Sequence, residues 1–389
     1  MSKPESKPDF IVFGAPLIGE EEIEEVVATL RSGWIGTGPK VKRFEGEFAR
    51  YKGVEDAVAV ASCTAALHLS LLDAGIGPGD EVITTPLTFC ATVNAIHHTG
   101  ATPVLVDVDP VTQNIDPARV AEALTPKTKA ILPVHFAGRP CEMDALTTLA
   151  EDAGLLLIED CAHAIETEYH GRKAGTFGSY GCFSFYATKN LSTAEGGMIL
   201  AADPERMARL RQLALHGMSK DAWKRFGGEG FRHYQVVEFG WKANMTDLQA
   251  SMGVHQLARL EECYLRRQEV WSRYDQGLAG LPLGTPAPPD EDTRHGLHLY
   301  TIRVDEEACG LSRDALLDAL TARGVGTGVH YLSVAEHPVY QERLGWKAEE
   351  WPEALRIGRQ TLSLPLSAKL TDSEVEHVLW AVKDALAGA

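Results

Sequence analysis

Two side chains in the middle of the chain have the types and spacing for covalent chemistry. Asp160 closes an apolar run, and Lys189 follows 29 residues later, in a turn with Asn190 and ahead of Gly196 and Gly197. A lysine partly removed from water has a lowered pKa and can attack an aldehyde. A carboxylate at a buried strand end needs a cationic or N–H partner, because a lone buried charge is costly. Pyridoxal phosphate asks for both: its aldehyde takes a lysine, and an acid near its pyridine nitrogen keeps that nitrogen protonated. Its phosphate needs a hydroxyl and helix-end amides. Ser184, five residues before Lys189, offers the hydroxyl. Ser62-Cys63-Thr64-Ala65 lies between a predicted strand and a predicted helix, so its amides can hold an anion. Phe89 follows the next strand and offers a ring to stack on the cofactor. Singly, each has an ordinary use: a cap, a solvated lysine, a core ring. Their joint order is what points to the cofactor.

The elements that must position these groups follow from the apolar pattern. Short apolar runs predict strands over 57–61, 81–85, 103–107, 130–134 and 155–159. Amphipathic stretches over 65–74, 91–98, 117–124 and 143–153 predict helices between them. This alternation indicates an α/β fold: a mostly parallel sheet with helices on both faces. In such sheets ligands bind outside the carboxyl ends of the strands. Two further strands, near 182–185 and 197–200, flank Lys189, and a helix is predicted over 247–260. The Pro/Gly-rich stretch 281–290 predicts a boundary between a large domain, 1–280, and a small α+β domain, 281–389. The small domain is given strands over 297–304 and 327–331 and helices over 312–323 and 372–386, with the N-terminal segment free to pack on it.

Composition narrows the function classes. The chain has 389 residues, 44% hydrophobic and 23% charged, ordinary for a folded protein with a sizeable core. Asp and Glu number 54 against 37 Lys and Arg, a net charge of -17 that argues against nucleic acid or an anionic membrane as partner. A small anionic ligand in a local pocket remains compatible. The first ten residues are polar and proline-bearing, unlike a signal peptide, and no long apolar run predicts a membrane span. Seven cysteines without a C-x-x-C pair fit reduced thiols in a cytoplasmic protein, with no metal site.

Taken with these motifs, the chain resembles, over nearly its whole length, the DegT-type nucleotide-sugar aminotransferases, which have the fold-type I architecture of pyridoxal-phosphate enzymes. The resemblance rests on SCTAAL from Ser62, DCAHA from Asp160, FSFYATKN from Phe183, EGGM from Glu195 and NMTDLQA from Asn244. Weaker matches are SGWIGTGP from Ser32, a substrate-side loop, and GVGTGVHY from Gly324. It implies that Lys189 bonds the cofactor and then serves as general base and acid. Asp160 would pair with the pyridine nitrogen, Phe89 would stack on the ring, and His163 would sit beside it. Ser184 and the amides of Thr64 and Ala65 would hold the phosphate. Asn244 would reach that phosphate from a neighbouring subunit, implying a homodimer with shared active sites. Trp34, Tyr186, His330 and Tyr331 are the candidate substrate contacts.

The implied amino donor is L-glutamate, and the acceptor a nucleotide-diphosphate keto sugar. Within the family the chain looks most like the branch acting on 4-keto sugars, including the UDP-4-amino-4-deoxy-L-arabinose aminotransferases. A 3-keto sugar or keto-cyclitol is the alternative substrate, and a non-catalytic regulatory protein the alternative of another class. Between Lys220 and His233, Lys220, Lys224, Arg225 and Arg232 outnumber Asp221 and Glu229, a local charge of +2 that suits a flap over a diphosphate. Cys63 departs from the family pattern where Gly is common, which would be awkward if that position needed a positive φ. Cys161 stands where Ala is common. Lys189 disfavours the related dehydratases, which carry His at that position.

Overall fold

A computed structural model describes residues 10–219 and 234–388. The basic stretch 220–233 lies outside the described residues. Seven strands form the central sheet: β1 (Val58–Val60), β2 (Glu81–Thr84), β3 (Thr102–Leu105), β4 (Thr128–Ile131), β5 (Leu156–Asp160), β6 (Tyr180–Ser184) and β7 (Gly197–Leu200). Their order is β1-β7-β6-β5-β4-β2-β3. Only β7 runs against its neighbours; the other pairings are parallel. The predicted strands and their mostly parallel arrangement are thus present, as fold-type I requires. Most strand residues are buried, which explains why the strands read as apolar runs.

Helices α1 (Glu20–Ser32) and α2 (Pro39–Lys52) precede the sheet and were not among the predicted elements. In α1 the apolar pattern misleads, because Glu22 and Thr29 are buried while Ile23 and Leu30 are exposed. After β1 comes α3 (Cys63–Asp73), and after β2 comes α4 (Cys90–His98). Ser62 caps α3 by accepting the Ala65 N–H. Gly197 lets the backbones meet there: a Cβ on it would lie 2.5 Å from the Ser62 carbonyl carbon and 2.7 Å from the Cys63 nitrogen. Cys63 is the first helical residue and needs no positive φ.

A second core gathers Tyr300, Ile302, Leu316, Leu320, Leu362 and Val378 around a small sheet of β8 (Leu283–Gly284), β9 (Tyr300–Val304) and β10 (Thr361–Leu364). Ile11 joins this core and bridges to Val325. So does the second half of the helix Leu260–Leu278, through Val270, Trp271, Tyr274 and Leu278, ahead of the boundary expected at 280. One predicted strand is corrected. Residues 327–331 make only an isolated bridge, Gly328 with Ser363, because beyond it the chain leaves the small sheet to carry His330 and Tyr331 to the cavity wall. The strand predicted over 297–304 begins only at Tyr300; His298 and Leu299 instead donate to the Ala137 carbonyl.

Candidate active site

At the carboxyl ends of β5 and β6 lies a cavity of about 520 Å³. Asp160, Lys189, Ser184, Thr64, Phe89 and His163 all line it. So do three of the four candidate substrate contacts, Tyr186, His330 and Tyr331. Ala65, Trp34 and Asn244 do not. The Ala65 amide already donates to the Ser62 hydroxyl at 3.1 Å, so it is spent on the helix cap. The Cys63 and Thr64 amides have no hydrogen-bond partner among the described residues and remain for an anion. Trp34 and Asn244 line a separate cleft with Thr37, to whose hydroxyl the Asn244 amide donates.

The lysine loop is closed by its own backbone: Phe185 donates to the Gly196 carbonyl, and Thr193 to that of Phe185, both at 2.9 Å. Burial beside the cavity pushes the Lys189 pKa down to about 8, against the opposing pull of Cys63 and Asp160. Burial acts oppositely on Asp160 and raises its pKa, while its hydrogen bonds favour the ionised form. Thr92 Oγ1 donates to Oδ2 at 2.9 Å, and the Ala162 amide to Oδ1 at 3.1 Å. The Thr88 and Thr92 hydroxyls are 2.8 Å apart. Since Thr92 gives its proton to Asp160, Thr88 must donate to Thr92.

Opposite stands a histidine–tyrosine wall. The Ala137 amide donates to His163 Nδ1 at 3.2 Å, which leaves the ring proton on Nε2. That Nε2–H donates to Tyr331 Oη at 3.0 Å, and the two rings stack with centroids 5.9 Å apart. Burial, then the charge of Lys189, holds His163 well below the ordinary histidine range, so it is neutral. Burial likewise lowers His330 to about 4. Thr88, Thr92 and His298 line the cavity but were missed as site residues. Thr92 falls in the helix predicted over 91–98, Thr88 in the turn before it, and His298 in a predicted strand. The HGLH run from His295 was the available signal for the last.

The residues present fit a planar, anionic aromatic cofactor. Phe89 is 57% exposed and lines the cavity, where a core phenylalanine would be covered. Unpartnered amides at the start of α3, the Ser184 hydroxyl, a buried carboxylate and a weakly basic amine surround the same space. A metal fits less well. His135, Glu159 and Cys161 cluster, but both Glu159 oxygens are taken by the amides of Gly175, Phe177 and Gly178 and by His135. His135 Nδ1 accepts from the Cys141 amide. The cluster is a structural clamp on the turn before β6.

The comparisons agree with this chemistry. The model of the DegT/DnrJ/EryC1/StrS aminotransferase family matches residues 16–383. The spore coat polysaccharide biosynthesis protein SpsC of Bacillus subtilis (strain 168) is 50% identical over 382 residues, 98% of each chain. Spr1654 from Streptococcus pneumoniae, solved in its PLP form, is 35% identical with a TM-score of 0.90, over 97% of this chain and 99% of that one. DesI, solved in the presence of its TDP-sugar product, is 32% identical with a TM-score of 0.86, over 98% of this chain and 94% of that one. The chain belongs to the DegT/DnrJ/EryC1/StrS aminotransferase family and is a pyridoxal-phosphate-dependent sugar aminotransferase.

Proposed function

We propose that the protein moves an amino group from L-glutamate to the keto carbon of a nucleotide-linked 4-keto sugar, as in the 4-amino-4-deoxy-arabinose branch of the family. The observation that carries the amino transfer is Lys189, with its pKa lowered to about 8, lining one cavity together with Asp160. The nucleotide-linked substrate draws on the TDP-sugar product of DesI. The 4-keto position rests on the sequence resemblance.

When bound, the cofactor supplies an electron sink that stabilises negative charge on the carbon beside the transferred nitrogen. The chain supplies the rest. Lys189 would hold the aldehyde through its amine, which burial keeps weakly basic, and would serve as the general base and acid for the proton transfer. The hydrogen bonds from Thr92 and Ala162 favour the ionised form of Asp160 against its burial, and that carboxylate would keep the pyridine nitrogen protonated. The Thr64 and Cys63 amides with Ser184 would hold the phosphate, Phe89 would stack on the ring, and His163 would sit beside it. Tyr186, His330 and Tyr331 face the sugar.

We also propose a homodimer in which Trp34 and Asn244 serve the partner's site. Its support is an exposed apolar surface next to them. Ile23, Leu30, Trp34 and Ile35 are exposed on and after α1, and Phe239 is 93% exposed. Seven unpaired cysteines favour a cytoplasmic setting. Among the described residues no helix is long and apolar enough to cross a membrane.

The test is direct. Purified protein with pyridoxal phosphate should absorb visible light, lose that band on L-glutamate addition, and lose it in Lys189→Ala. A panel of UDP-, TDP- and GDP-linked 4-keto and 3-keto sugars should yield amino sugars by mass spectrometry. Turnover of 3-keto sugars or cyclitols alone would overturn the 4-keto assignment.

A further inference from the structure

A chain of buried polar groups runs from the interior to the cavity and fixes one proton. Arg267 and Glu166 form an ion pair at 2% and 0% side-chain exposure. The Asn190 amide nitrogen donates to the other Glu166 oxygen at 2.9 Å and to the Gly296 carbonyl at 2.8 Å. Both are acceptors only, so flipping this amide would set oxygen against oxygen twice. Asn190 Oδ1 must therefore face His298 Nδ1, 3.0 Å away, and accept from it. The His298 proton is on Nδ1, and Nε2 keeps its lone pair. The ring is buried, lines the cavity, and lies 4.4 Å from His163 between centroids. Burial, then the charge of Lys189, holds it neutral, well below the ordinary histidine range. His163 carries the opposite tautomer and spends its Nε2 proton on Tyr331. Tyr331 Oη is thereby left with its own proton to give.

We propose that His298 is a specificity residue: its Nε2 is a fixed hydrogen-bond acceptor for the substrate, beside the Tyr331 O–H as donor, and selects a keto sugar with a hydroxyl next to the reacting carbon. The assignment rests on the keto-sugar reading above. A donor and an acceptor on one wall match a hydroxyl, which both gives and takes a hydrogen bond. A deoxy sugar would leave the His298 lone pair buried and unpaired, which is how such a site rejects an analogue.

Two measurements test it. Nitrogen NMR of histidine-labelled wild type with its cofactor should show His298 protonated on Nδ1 only from pH 6 to 8. Asn190→Ala should release the constraint and give mixed tautomers. A nucleotide-linked keto sugar bearing the hydroxyl should exceed its deoxy counterpart by about tenfold in kcat/KM with wild type. His298→Phe should bring that ratio near one, chiefly by raising KM for the hydroxylated sugar. A proton on Nε2 in wild type overturns the proposal, as does a His298→Phe variant that slows both sugars equally. Absence of turnover on either sugar sinks the keto-sugar reading instead, and the nitrogen spectrum still decides the tautomer.

Discussion

Asp160 and Lys189 are moved in opposite senses by the same burial, and each needs a different remedy. The proposed bond to an aldehyde needs Lys189 neutral, and desolvation helps it. Capture of pyridoxal phosphate by the cofactor-free protein should accelerate as pH rises and level off above about 8. An inflection near 10.5, the ordinary lysine value, would show that burial does not act on it. The proposed pairing with the pyridine nitrogen needs Asp160 ionised, and desolvation opposes that. Thr92 is the strongest counterweight. Thr92→Val should raise the Asp160 pKa further, so activity is lost at higher pH as the solution is acidified. The acid limb of kcat/KM should move up by about one unit, the scale of a hydrogen bond to a charged group. Thr92→Ser should restore it, and an unmoved limb in Thr92→Val would remove Thr92 from this role. Asp160, Lys189 and Ser184 were legible because each ends or follows a readable strand. Thr92 was not, since its hydroxyl acts across 68 residues of sequence.

At the scale of elements, the parallel sheet was legible because its strands are buried on both faces and carry little but apolar residues. Helices α1 and α2 were not. In α1, Glu22 and Thr29 are buried while Ile23 and Leu30 are exposed, so periodicity pointed the wrong way; α2 does bury Val41, Phe44 and Phe48 in the core, but among many charged residues. The 327–331 segment fails for a related reason: its apolar and β-branched residues look strand-like, but the chain spends them carrying side chains to a cavity. Lys52 is a further case where packing overrides residue type. It ends α2, is 3% exposed, and donates to the carbonyls of Ile165 at 3.0 Å and Ala174 at 2.8 Å. Burial lowers its pKa from 10.5 to about 8. Between those values the unfolded chain binds the proton and the folded chain does not, so stability rises with pH across that window. Below about 8 both states are protonated and this slope vanishes. Lys52→Met should remove the slope and, by stranding two carbonyls, cost about 2 to 5 kcal/mol. Urea melts of both proteins from pH 7 to 10 measure this; parallel curves would refute the assignment.

For the whole molecule, a net charge of -17 must coexist with the anionic ligands proposed for the cavity. The cavity offsets it locally through Lys189 and the amides at the start of α3. The sharper question is where Trp34 and Asn244 act. Both stand outside this chain's cavity and line one cleft, and Trp34 is exposed together with Ile35 and, on α1, Ile23 and Leu30, which the proposed second copy would cover. If active sites are shared, each is built from the Lys189 of one subunit and the Asn244 of the other. Lys189→Ala and Asn244→Ala proteins should then each be weak alone. Mixed and allowed to exchange subunits, half the dimers are hybrids, and each hybrid holds one site with both residues intact. Activity should recover to about a quarter of wild type by this symmetry argument. Light scattering should show a dimer throughout. Recovery no greater than the sum of the separate variants, with exchange verified by mass-tagged subunits, would place Asn244 outside the shared site and leave the apolar surface around α1 to serve assembly alone.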